Sequence, residues 1–183
     1  MEQVWSALLE AQSRLEGAGI QSAVIGGIAV AVWGLPRATQ DVDLKVLLTR
    51  AQADRLLGTL FPQGCPAETR TFLQRNGILF VQQDGGVRVD YLLSDTSFDR
   101  SAIERRVEAL VAPEVRAQVC TAEDLIVYKL LSTRPRDYED AVGIVARQRN
   151  RLDVEYVRSW LGQFEQALDD SELAANFERL IGR

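Results

Sequence analysis

Apolar and polar positions along this chain change their period several times, and each change marks an element. Val4, Leu8, Ala11 and Leu15 recur at helical spacing until Gly17 and Gly19 stop the run. A short apolar strand follows at 22–25, then the double glycine Gly26-Gly27, then a short apolar helix at 28–33 closed by Gly34 and Pro36. In Asp41–Val46 the period is two. Asp41, Asp43 and Lys45 therefore share one strand face, and Val42, Leu44 and Val46 share the other. Thr49 and Gln52 have capping-box spacing, which predicts a helix to about Leu60. Residues 62–76 show no clear period. The segments 77–82 and 87–93 read as a hairpin around Asp84-Gly85-Gly86, with Arg88, Asp90 and Leu92 on one face of its second strand. Residues 97–110 read as an amphipathic helix, and 115–120 as a last strand.

From Thr121 onward the pattern is helical. Thr121 and Asp124 form a capping box before Leu125, Ile126, Leu130 and Leu131. Helices are expected at 138–149, Val154–Leu168 and 172–181. The expected fold is α/β (or α+β): a mixed β-sheet flanked by helices over 1–120, with a C-terminal helical subdomain over 121–183 packed on that core.

Composition narrows the chemistry. The chain has 183 residues, 46% of them hydrophobic, enough for a core without disulfides. It has no histidine. That removes Ser-His-Asp and Cys-His hydrolases and makes a zinc site untenable with two distant cysteines. Catalysis is left to carboxylates, lysine, backbone amides or a hard metal bound by oxygen. A net charge of −5 opposes non-specific DNA or RNA binding. No apolar run reaches membrane-spanning length, and the first residues lack the basic start and apolar stretch of a signal peptide. A reduced, cytoplasmic setting is the expectation.

A strand, a double glycine and a helix start make an anion site: the glycines allow close backbone approach, and the helix N-terminus presents free N–H groups. Asp41 and Asp43, at i and i+2 on one strand, crowd two carboxylates onto one face. A cation relieves that repulsion, and magnesium suits carboxylates shared with substrate phosphates. A third carboxylate on a neighbouring strand would allow two ions to clamp a phosphoryl displacement. Trp5, Trp33 and Trp160 read as packing residues. Arg147, Arg149 and Arg151 read as a helix C-terminus.

The run G-G-x-A-x-x-x-x-G-x-x-R-x-T-x-D-x-D-L from Gly26 to Leu44 resembles the signature of the DNA polymerase β-like nucleotidyltransferase superfamily. More narrowly, it resembles the AbiEii-like abortive-infection toxins and the minimal nucleotidyltransferases. Val87-Arg88-Val89-Asp90 lies where that family places its third carboxylate. The run from Thr121 to Ile126 with Lys129, Arg134, Arg136-Asp137 and Asp140 resembles its C-terminal signature.

The resemblance implies transfer of a nucleotide from an NTP such as ATP to an acceptor hydroxyl, with probe-worthy roles for individual residues. Gly26 and Gly27 would cradle the triphosphate. Asp41, Asp43 and Asp90 would ligate two Mg²⁺ ions, with Asp90 also helping to deprotonate the acceptor. Lys129 would neutralise the triphosphate, and Asp137 or Asp140 would position groups near the site. Arg37 and Thr39 flank the metal strand, Arg37 as a phosphate contact or a structural ion pair. Many relatives carry Gly-Ser where this chain has Gly26-Gly27, so the cradle is backbone only. The implied acceptor is tRNA or a protein, for a toxin with a cognate antitoxin, or a small molecule, for an antibiotic nucleotidyltransferase. A non-catalytic nucleotide- or partner-binding module on the same fold is the alternative.

Overall fold

The computed structural model describes residues 2–83, 85–169 and 172–182. Asp84, at the expected hairpin turn, lies outside them. The chain divides into two compact units. The first holds the residues up to Ile28 together with Ala38–Cys120, and the second holds Ala29–Arg37 with the chain from Thr121 onward. The second unit's long segment starts at Thr121, and the short stretch Ala29–Arg37 goes with it.

Among the described residues, six strands form the first unit's sheet: β1 (Ser22–Val24), β2 (Asp41–Val46), β3 (Ile78–Gln82), β4 (Arg88–Leu93), β5 (Val107–Ala112) and β6 (Val115–Val119). Their order is β3-β4-β2-β1-β6-β5. The sheet is mixed, with β2 parallel to β4 and β1 parallel to β6, and the other neighbours antiparallel. Helix α1 (Glu2–Gly17) packs on the sheet through Val4, Leu8, Ala11 and Leu15, all buried. The alternation of β2 is realised as read, with Val42, Leu44 and Val46 fully buried.

Helix α2 (Gly26–Trp33) starts at the double glycine itself. A 3₁₀ turn at Arg50–Gln52 leads into α3 (Ala53–Leu60), and the Thr49 N–H donates to Gln52 Oε1 as the capping box requires. The unassigned segment contains α4 (Ala67–Asn76), a polar helix with only Leu73 buried, ended by Gly77 at φ 69°. That lone apolar contact is why no period showed. The expected helix over 97–110 is corrected: α5 (Ser97–Glu104) ends early, and 107–112 is edge strand β5, paired antiparallel to β6. The apolar run Val-Glu-Ala-Leu-Val-Ala fits helix and strand alike, and the partner strand decides.

The second unit is helical: α6 (Ala122–Leu130), α7 (Pro135–Gln148), α8 (Val154–Leu168) and α9 (Leu173–Ile181), along with the later residues of α2. The Thr121 hydroxyl caps α6 by accepting from the Asp124 N–H. Arg147, in the last turn of α7, donates to the Gly34 carbonyl at 2.7 Å. Among the described residues, no helix is long and apolar enough to cross a membrane.

Candidate active site

The parallel register of β2 and β4 sets Asp43 directly beside Asp90, and Asp41 beside Arg88. The antiparallel register of β3 and β4 sets Phe80 beside Asp90. Laterally paired residues point to the same side of a sheet, so Asp41, Asp43, Arg88, Asp90 and Phe80 share one face. Neighbouring strands run about 4.8 Å apart, so two carboxylates in register repel one another.

Arg88 supplies the opposing charge. Its Nε donates to Asp90 Oδ1 at 2.8 Å and its Nη2 to Asp90 Oδ2 at 3.1 Å, a two-pronged grip. The same Nη2 donates to Asp41 Oδ2 at 2.8 Å, and the guanidinium lies 5.4 Å from the centre of the Phe80 ring. Hydrogen bonding and charge from Asp90, with smaller contributions from Asp41 and Asp43, hold the Arg88 pKa above its usual value. Burial is the main cause that raises the Asp90 pKa. Arg88 pulls it back down, and Asp41 pushes it further up. Lys45, on the same face of β2, is tied to Asp99 at 2.8 Å.

Asp43 is placed by a glycine. Gly26 sits at φ 63°, a left-handed conformation that suits glycine. A Cβ there would stand 2.0 Å from Asp43 Oδ2, so a side chain is excluded on space as well as conformation. The Ile25 N–H donates to the Asp43 carbonyl at 2.9 Å, which ties the end of β1 to β2. The Thr39 hydroxyl donates to the Asp41 carbonyl at 3.2 Å and shapes the strand's entry.

Donor chemistry here suits a hard divalent cation: three carboxylates on two adjacent strands and no nitrogen ligand. As the side chains stand, no group of three such ligands among the described residues converges on one point. Arg88 holds both oxygens of Asp90 and one of Asp41, so it competes with a cation for them.

Arg37, Lys129, Asp137 and Asp140 belong to the second unit, where they bond to one another. Lys129 Nζ donates to Asp137 and, at 2.8 Å, to Asp140. Arg37 donates to Asp140 through Nε and Nη2 at 3.2 and 3.3 Å. The Ser132 hydroxyl at 2.6 Å and Arg134 complete the shell of Asp137. Lys129, Asp137 and Asp140 are all buried.

Two residues of this face carry no role in the sequence pattern. Arg88 shares the parity of Asp90, a signal that was present in Arg-x-Asp. Phe80 joins them only through the hairpin register, which the strand pattern alone does not fix.

No protein-family model matches the chain, and no curated protein matches its sequence. Among solved structures, the antibiotic-resistance factor ANT(2'')-Ia is similar at 12% identity and a TM-score of 0.52, over 92% of this chain and 97% of that one. An antigenic nucleotidyltransferase-like protein from Paracoccidioides brasiliensis aligns at 15% identity over 92% and 91% of the two chains, with a TM-score of 0.48. JHP933 from Helicobacter pylori aligns at 16% identity over 97% and 79%, with a TM-score of 0.46. The chain has the nucleotidyltransferase fold, the mixed sheet flanked by helices that its sequence implied.

Proposed function

We propose that this protein is a magnesium-dependent nucleotidyltransferase. The observation that carries it is the in-register pair Asp43 and Asp90, with Asp41 two residues along the same face, beside a glycine-opened helix start. Asp41, Asp43 and Asp90 would hold the metal, and the bound ion would supply charge stabilisation at the reacting phosphate. Gly26 and Gly27 present backbone N–H groups to the β- and γ-phosphates of an NTP. Asp90 accepts the proton of the acceptor hydroxyl as its oxygen bonds to the α-phosphorus. The bond from that phosphorus to the bridging oxygen breaks, and pyrophosphate leaves. Arg88 would compete with the ion for Asp41 and Asp90. Lys129, Arg37, Asp137 and Asp140 hold α6 and α7 together as a charge-closed cluster.

Calorimetric titration with ATP, GTP, CTP and UTP, with and without Mg²⁺, tests this. Wild type binds at least one NTP only with Mg²⁺, and the Asp41→Asn/Asp43→Asn double variant does not. Equal binding by the two proteins removes the metal assignment. NTP binding with no pyrophosphate release from any acceptor supports a non-catalytic module instead.

A further inference from the structure

We infer that the gap between β1 and β6, at the end of β1 away from Gly26, binds a free α-amino acid with a polar, uncharged side chain. The two strands run parallel but share a single registered pair, Val24 and Val119, and the Cys120 N–H donates to the Val24 carbonyl at 3.0 Å. One step back along a continued parallel ladder, the Gln118 N–H would meet the Ser22 carbonyl. A side chain of α1 takes that place instead. Gln12 Oε1 accepts from the Gln118 N–H at 3.1 Å, and Gln12 Nε2 donates to the Gln118 carbonyl at 2.9 Å. The Ser22 carbonyl therefore faces the gap without that strand partner. Ser22 is only 7% exposed, and its hydroxyl has no hydrogen-bond partner among the described residues. Buried polar groups of this kind are ones that a ligand or water satisfies.

A cavity of about 340 Å³ opens there, lined wholly by residues of the first unit, at the small end of the range for ligand sites. Its lining carries one cation, Arg106, and one anion, Glu16. Glu16 follows Gln12 by four residues on α1, so the two side chains stand on the same face of the helix. Arg106 Nη1 donates to the Ile103 carbonyl at 2.8 Å. Among the described residues, neither Arg106 nor Glu16 has an ion-pair partner. These two charges select the ligand. Glu16 repels a bare anion, and Arg106 repels a bare cation. A nucleobase gains most from an aromatic ring to stack on, and among the described residues of this lining Ile20 is the one large apolar side chain. A molecule with both charges fits: its carboxylate on the Arg106 fork, its ammonium on Glu16 and the Ser22 carbonyl. Gln21 and Gln118, whose amides both donate and accept, suit a side chain that does the same. Ser22 and Gly26 are four residues apart, roughly 13 Å along extended chain, so this ligand is separate from the nucleotide proposed at Gly26 and Gly27.

The test is calorimetric titration of the full chain, without nucleotide, with L-serine, L-asparagine, L-glutamine and L-leucine. N-acetyl-L-glutamine and L-glutaminamide, each lacking one of the two charges, are titrated alongside. The proteins are wild type, Arg106→Gln and Glu16→Gln, with melting curves to confirm folding. At least one of the three polar amino acids should bind wild type at one site per chain, and more tightly than L-leucine. Loss of a charge-assisted contact predicts roughly tenfold or greater weakening in each variant. In wild type, removing the matching charge from the ligand should weaken glutamine binding by a similar factor, a readout that no folding defect can mimic. If none of the four amino acids binds wild type at millimolar concentration, the site is overturned. Equal binding by wild type and both variants places the amino acid elsewhere and overturns it too. Binding of N-acetyl-L-glutamine or of inorganic phosphate as tightly as the best amino acid overturns the assignment to a doubly charged ligand, leaving a simple anion site on Arg106. L-Leucine binding as tightly as the polar amino acids overturns the role of the Gln21 and Gln118 amides.

Discussion

Replacing Lys129 with methionine separates two roles for this residue. Its side chain is 6% exposed and lies between carboxylates that are 4% and 7% exposed. Removing one partner of a buried ion pair costs about 3–5 kcal/mol, because the charge left behind is uncompensated. Each carboxylate here keeps a second cation, Arg134 for Asp137 and Arg37 for Asp140, so the lower end applies, about 3 kcal/mol. In a chain of this length that lowers the melting temperature by roughly 6–12 °C. Urea unfolding at pH 7 measures it, and acidification supplies the control. Burial alone would raise the Asp137 pKa, but hydrogen bonds from Lys129, Ser132 and Arg134 and the Lys129 charge bring it below the usual 3.8. A carboxyl depressed on folding stabilises the protein above its unfolded value and loses that contribution as pH falls through the folded one. The gap between wild type and Lys129→Met should therefore narrow below about pH 4. If the variant lies within about 1 kcal/mol of wild type at pH 7 yet loses NTP binding, the cluster is not structural and Lys129 belongs with the triphosphate.

Arg88→Gln removes a positive charge from the carboxylate set. Mg²⁺ or Mn²⁺ affinity in the absence of nucleotide should rise roughly tenfold, as expected for a unit charge at short range near a surface. Calorimetry or Mn²⁺ resonance reads it, and unchanged affinity would mean that the guanidinium does not compete with the ion. Gly26→Ala meets both a left-handed backbone and the Asp43 carboxylate, and should destabilise the protein by about 2 kcal/mol or more while abolishing metal binding. A stable, metal-binding Gly26→Ala would show that the loop can move aside. Asp90→Asn should raise the melting temperature at neutral pH, because folding raises the Asp90 pKa and so disfavours its charged form. A drop would mean that the grip of Arg88 outweighs burial.

Much of this was legible in the sequence because local rules and tertiary structure agree. The alternation in Asp41–Val46 fixed which side chains face the core, and burial follows it residue by residue. Capping boxes at Thr49 and Thr121 located helix starts to within a residue or so. Local patterns failed where a partner decides. The segment 107–112 is a strand only because β6 lies beside it, and α4 has too narrow an apolar contact to show a period. For the site, parity along β2 and β4 placed Asp41, Asp43 and Asp90 on strand faces, whereas their lateral alignment is a property of register. The bonds that join Lys129 to Asp137 and Asp140 depend on how α6 meets α7, which residue spacing leaves open.

The parallel alignment of β2 and β4 has a consequence for mutational tolerance. A strand reverses its faces with every residue gained or lost, so deleting one position within β4 upstream of Asp90 would turn that carboxylate toward the hydrophobic interior and bring Val89 or Tyr91 to the face of Asp41 and Asp43. Length changes in the irregular stretch between α3 and α4 leave the pairing untouched. Among natural variants and laboratory libraries alike, insertions and deletions should therefore collect in that stretch and be absent from β4, even where point substitutions there are accepted.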